Sequence, residues 1–229
     1  MAKQAYFKPA LFRFLRELAD NNEREWFQAH KARYEDDVRQ PMLRFIADFG
    51  PHLKKISPAY VADPSPNGGS LFRIYRDVRF SKDKSPYKTA AGAHFRHEAG
   101  KDVHAPGFYL NMEPGRVFAG VGIWQPDARA LGRIRDALVR EGARWQRIKA
   151  SKALQTTHEL TGDKLSRPPK GYDPAHPLIE DLKFKDFTTV TKLKEQDACA
   201  DDFMARFTEI CRAGAPFNQF LTEALGLRW

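Results

Sequence analysis

Between Phe72 and Lys88 the chain reads FRIYRDVRFSKDKSPYK, which sets six cationic side chains, two aspartates and four aromatic rings in one short segment. From Arg76 to Lys88 five cations face two anions, a local excess of +3. The chemistry open to such a group is anion recognition. A guanidinium grips a carboxylate or phosphate through two parallel N–H donors, and an ammonium adds a compact point charge. Arg76, Asp77, Arg79, Lys82, Asp83, Lys84, Tyr87 and Lys88 are therefore the candidate ligand-binding residues. Asp77 or Asp83 would orient the cations or serve as a general base, and Tyr87 would line the pocket. Pro86 biases Ser85 towards extended backbone and so presents Tyr87 and Lys88 from a stiff turn. The competing reading of the same residues is a structural ion-pair network that locks a strand to its neighbours.

Positioning such a group requires a strand. Read with a period of two, Phe72, Ile74, Arg76, Val78 and Phe80 share one face, and Leu71, Arg73, Tyr75, Asp77 and Arg79 the other. Arg76 is thus expected to be buried in an apolar face and paired with a carboxylate, its loss costing on the order of 3–5 kcal/mol. Arg79, Lys84 and Lys88 lie towards or beyond the strand end. They are expected to be partly exposed and convergent, and to matter little for stability.

Other constellations are weaker. Asp173 and His176, in RPPKGYDPAHP, are three apart; one Asp and one His cannot complete a metal site, and Asp173 reads as the cap of a turn. His94, His97 and His104 surround the first hairpin, but a spacing of three in a strand sends His94 and His97 to opposite faces. No metal site and no cofactor are expected. Ser81 has no assignable base, NGGS at 67–70 is turn chemistry, and the phosphate-loop, hydrolase-elbow, zincin and dinucleotide-binding signatures are missing. Whether any reaction takes place is left open. Cys199 and Cys211 fall in a segment that reads as one helix, where twelve residues put them ~18 Å apart, beyond disulfide reach. They read as reduced thiols of a cytosolic protein.

Around the charged segment the helical and strand periods alternate. Pro9 with Leu11, Phe12, Leu15 and Leu18 predicts a short amphipathic helix that ends at 20–22. A second begins near Asn22 and carries Trp26, Phe27, His30 and Tyr34; Pro41 kinks or restarts it, and Leu43, Ile46, Phe49 and Leu53 continue the stripe. Strands are predicted at about 71–80, 90–97, 107–113 and 116–124, with a late one near 186–193. The clearest hairpin turns at Glu113-Pro114-Gly115. Its second strand puts Val117, Ala119, Val121 and Ile123 on one face and Phe118, Gly120, Gly122 and Trp124 on the other. Two glycines on one face call for close approach of a helix or a ligand, a helix being the commoner occupant. Asp127 reads as the N-cap of a helix buried through Ala130, Leu131, Ile134, Ala137 and Leu138. A helix at 143–153, a turn-rich excursion and two closing helices at 197–212 and 216–226 complete a single α+β domain spanning 1–229. Its mostly antiparallel sheet, about 71–124 plus the late strand, is packed by N- and C-terminal helices.

A net charge of +9 favours acidic or phosphorylated partners at encounter. No apolar run approaches the ~20 residues that span a bilayer, and the N-terminus lacks an apolar core and small-residue cleavage site. The expectation is a cytoplasmic protein with no membrane partner.

The segments FRIYRDVRFSKDKSPYKT, GFYLNMEPGRVFAGVGIWQPD and SRPPKGYDPAHPLIEDLKFKDF together resemble the conserved hypothetical family catalogued as domain of unknown function 2461. The opening FLRELADNNEREWFQAHKARYE is similar to that family's N-terminal segment, so the resemblance runs over nearly the whole chain. The pattern R-D-x-R-F-S-x-D-K-x-P-Y-K is present at Arg76, Asp77, Arg79, Phe80, Ser81, Asp83, Lys84, Pro86, Tyr87 and Lys88. The resemblance implies an intact member with the family's signature, and it transfers no catalytic assignment. From the residues themselves, the first expectation is an anionic small molecule, phosphorylated or carboxylate, held at Arg76–Lys88. The alternatives are a nucleic-acid-binding module, for which mixed charge and the lack of a recognition motif count against it, or an interaction scaffold in which the motif is structural.

Overall fold

Pro9 opens α1 (Pro9–Asp20) in the first turn, where its missing N–H is not needed, and Leu11, Phe12, Phe14, Leu15 and Leu18 are buried along it. The computed structural model describes residues 5–100 and 105–229. After α1 come α2 (Arg24–Ala29), α3 (Lys31–Tyr34), one π-helical turn (Glu35–Arg39) and α4 (Gln40–Ile56). The restart expected at Pro41 takes the form of that wide turn. Proline cannot donate to the carbonyl four residues back, and the backbone immediately before it opens.

Three strands follow, β1 (Ala91–Arg96), β2 (Gly107–Met112) and β3 (Val117–Ile123). Beyond them lie α5 (Ala128–Arg140), α6 (Gly142–Ala150), α7 (Lys152–Thr157) and β4 (Glu159–Thr161). The chain ends with α8 (Ile179–Leu182), β5 (Phe187–Leu193), α9 (Glu195–Ala198) and α10 (Phe203–Ala224). Among the described residues the strands form one antiparallel sheet in the order β1-β2-β3-β5-β4. This is the expected α+β architecture, with terminal helices on the sheet.

Strand alternation gives the sheet an inner and an outer face. Ala93, Phe95, Phe108, Leu110, Met112, Ala119, Val121 and Ile123 point inward and are buried. There they meet α4 and α10, with Phe49 centred 4.7 Å from Phe95 and 4.9 Å from Phe207. Among the described residues no helix is long and apolar enough to cross a membrane.

Five local expectations are corrected. Residues 71–80 are not a strand: only Leu71 bridges Ala93, and Tyr75 bridges Tyr87. After Phe72 donates its N–H to Gly92 the chain leaves the sheet and closes on itself, through Arg76 N–H to Pro86 and Lys88 N–H to Ile74. Phe80, assigned by alternation to the buried face, is 95% exposed. The two closing helices are one, because α10 runs through Pro216; Phe207, Phe217, Phe220 and Leu221 bury both halves of it. Cys199 precedes that helix, so it does not share one with Cys211; both thiols are free. The short β4 lies where only turns were expected, and residues 142–157 divide into α6 and α7 at Ser151, whose hydroxyl caps α7.

Candidate functional site

The charged motif forms a loop held at its neck. Asn22, at the α1–α2 junction, donates its amide N–H to the Tyr87 carbonyl and accepts the Tyr87 N–H, both at 3.0 Å. The Tyr87 ring stacks on Phe27 with centroids 4.1 Å apart, and only 2% of the residue is exposed. Tyr87 is thus a core anchor whose edge floors a pocket.

Inside the loop the charges sort into separate groups. Asp77 accepts from Arg79 Nη2 at 2.7 Å and Nε at 3.0 Å, an exposed pair next to the solvated ring of Phe80. Its carboxyl is held down at about 2, first by the Arg79 guanidinium and then by the Arg79 N–H. Asp83 accepts from the Ser85 hydroxyl at 2.6 Å, from the Ser85 N–H at 2.9 Å and from Arg76 Nη1. The Ser85 donors, followed by Arg76, hold its carboxyl well below the usual carboxylate range. Both aspartates are therefore ionised and engaged, a poor state for a general base. Lys84 donates to the Val78 carbonyl at 3.0 Å, and Lys82 is exposed.

Arg76 has the carboxylate partner expected of it, yet it is not buried. Its side chain is 28% exposed and that of Asp83 59%. The reason is the lost strand: without a ladder, nothing obliges position 76 to face the core. Lys88 is the cation the fold withdraws from water instead. Its ammonium donates to the Arg73 carbonyl at 3.0 Å and sits 5.3 Å over the Phe72 ring. Burial, and after it the Arg73 charge, pulls the Lys88 ammonium below the usual lysine range.

Arg76, Asp83, Tyr87 and Lys88 come together with Asn22 and Ser85 around a surface depression of about 490 Å³. Asp77, Arg79, Lys82 and Lys84 lie outside its lining. Elsewhere, Asp173 caps a turn as expected, accepting the Ala175 N–H at 2.8 Å. His94 lies on the outer face of the sheet, whereas His97 points inward against Tyr60 and meets the Arg228 carbonyl at 2.9 Å. His104 lies outside the described residues. No group of three or more potential metal-ligating side chains converges among the described residues.

A second concavity was not read from the sequence. A cleft of about 420 Å³ on the outer face is lined by Phe72, His94, Tyr109, Arg116, Phe118 and Trp124, with Gly107, Gly120 and Gly122 among its other residues. The signal was the glycine pair in β3, taken to invite a helix. The helix does approach Gly122, where a Cβ would lie 3.0 Å from Phe217 Cε1 of α10, but α10 packs on the opposite face and its own Gly214 provides most of the clearance: a Cβ there would lie 2.8 Å from Val121 Cγ2. No curated protein matches the chain. The model of the family described as "Conserved hypothetical protein (DUF2461)" matches residues 10–220, and the chain belongs to that family.

Proposed function

We propose that the protein binds an anionic small molecule, a phosphate ester or a carboxylate, in the depression formed by Arg76, Ser85 and Lys88. The observation that carries this reading is the state of Lys88. It is a half-buried ammonium whose charge is disfavoured by burial and by Arg73, and it reaches a carbonyl rather than a carboxylate. An anion seated there relieves both penalties. Arg76 can turn to the same ligand without orphaning Asp83, because Ser85 supplies two donors to that carboxylate independently. The reading is one of binding, since neither aspartate is poised to move a proton.

The test is a thermal-shift screen of phosphate, sulfate and phosphorylated or carboxylate metabolites at millimolar levels. Stabilisation by an anion is expected for the wild type and is expected to disappear in Lys88→Met, which keeps the length of the side chain without its charge. No stabilisation by any anion would sink the reading. Nucleic acid replaces the small molecule as partner if short DNA or RNA binds and the binding weakens steeply with salt.

A further inference from the structure

On β2 and β3 the outward positions are Gly107, Tyr109 and Asn111, then Phe118, Gly120 and Gly122, and Tyr109 stands directly across from Gly120. An aromatic ring opposite a glycine commonly folds down over it and covers the bare backbone. Here it does not. The Tyr109 hydroxyl reaches the other way, over β1, where it would lie 2.5 Å from a Cβ built on Gly92. His94 likewise leans over Gly107, with Nε2 where a side chain would begin. Tyr109 tips towards the β1 edge and His94 stops over Gly107 of β2, so neither ring covers β3 or β5, and Gly120, Gly122, Thr188 and Val190 remain in the lining of the cleft.

The walls are as specific as the floor. Phe72, Tyr109 and Phe118 form a continuous aromatic series, with neighbouring centroids 5.9 and 5.7 Å apart. Trp124, also in the lining, is left 53% exposed. An enclosure of this size with aromatic walls suits a small ring system rather than a polar metabolite. The lining also has a sign. It includes Arg116 but no carboxylate. Arg116 is 73% exposed, sits 5.5 Å over the Phe118 ring, and its surface pair with Glu113 is loose at 3.6 Å.

From this geometry we infer that the outer-face cleft is a second binding site, for a flat aromatic acid of one or two fused rings. The ring lies on the Gly120 floor between the Tyr109 and Trp124 sides, and its carboxylate meets Arg116. The two sites share no lining residue and meet only where the Lys88 ammonium sits over the Phe72 ring, so a change at Arg76, which lies in the other lining away from Phe72, tells them apart.

The test uses 2-naphthoate as the probe, with 2-naphthalenemethanol lacking the charge and cyclohexanecarboxylate lacking the flat ring, measured by titration calorimetry on the full chain. Saturable binding of 2-naphthoate, tighter than either control, is expected. Gly120→Val raises the floor; a Cβ at this position has 3.6 Å to its nearest neighbour, so the backbone need not move. It should weaken 2-naphthoate at least about tenfold while leaving the melting transition cooperative. If that variant fails to fold, Val190→Phe fills the same floor from β5 and carries the same expectation. Arg116→Gln should erase the preference for the acid over the alcohol, and Arg76→Gln, in the other depression, should leave 2-naphthoate binding unchanged. Equal affinity in wild type, Gly120→Val and Val190→Phe would overturn the inference, as would no binding at millimolar probe. So would a wild-type dimer that Gly120→Val dissociates and 2-naphthoate does not disturb, which would make the cleft a contact between copies.

Discussion

Asn22 and Tyr87 lie 65 residues apart in the chain, yet one side-chain amide satisfies both backbone groups of the tyrosine. That pairing joins the turn between α1 and α2 to the neck of the charged loop. It works because an amide offers a donor and an acceptor side by side, the complement of a peptide edge. Asn22→Ala leaves two part-buried backbone groups without partners and should cost roughly 2 kcal/mol. Asn22→Asp keeps the acceptor, loses the donor and should fall between. Urea midpoints for the three proteins check the order.

Arg76 and Lys88 exchange the roles that strand alternation would give them. Arg76→Ala should cost little stability, because its partner is a surface carboxylate already satisfied by Ser85. Lys88 carries a pH signature. Its folded value lies below the ordinary 10.5, so the folded state holds fewer protons than the unfolded one in the window beneath that value. Stability should therefore rise with pH across that window in the wild type relative to Lys88→Met. Parallel curves for the two proteins from about pH 8 to 10.5 would count against the placement of Lys88.

His158 gives a second signature at the acid end. Its Nε2 donates to the Ile210 carbonyl at 2.9 Å, and its Nδ1 lies 3.2 Å from the Thr189 hydroxyl and 3.1 Å from that of Thr191, which itself donates to the Thr157 carbonyl at 2.6 Å. Burial, partly opposed by the Ile210 carbonyl, lowers its value below 6.5. The unfolded chain then takes up the proton first, so stability should fall as pH drops below 6.5. His158→Gln should flatten that slope. The aspartates of the charged loop titrate lower still, below 3.8, and leave the window clear.

Two glycines in helices should respond in opposite directions. Gly214→Ala drives a methyl into Val121 and His158, an overpacking cost of about 1–3 kcal/mol that exceeds the ~1 kcal/mol gained in helix propensity. Gly132→Ala, in α5 with open space where the Cβ would go, should stabilise by up to ~1 kcal/mol. Thermal denaturation of both variants tests the close approach of α10 to the sheet.

Asp127 capping α5 through the Ala130 N–H at 2.7 Å, the α1 stripe and the hairpin at 113–115 were all legible in the sequence. Each rests on interactions between residues near in the chain, where residue type and spacing decide the outcome. The chemical content of the charged segment was legible for the same reason, as was the Asp173 turn. Pairing across the chain was not. Residues 71–80 have the composition of a strand, but β1 accepts only the first of them, and Tyr75 finds Tyr87 instead. Burial followed that choice, moving from Arg76 to Lys88. Pro216 breaks a helix by local rules, yet core contacts on both sides of it hold α10 straight through. The glycines of β3 announced a close approach without saying by what. Which face receives the helix depends on where α10 docks, and which way Tyr109 leans depends on Gly92 across the strand pair. Local sequence sets the period of an element and the chemistry it carries; its partners, and therefore which side of it meets water, are decided by contacts between segments far apart in the chain.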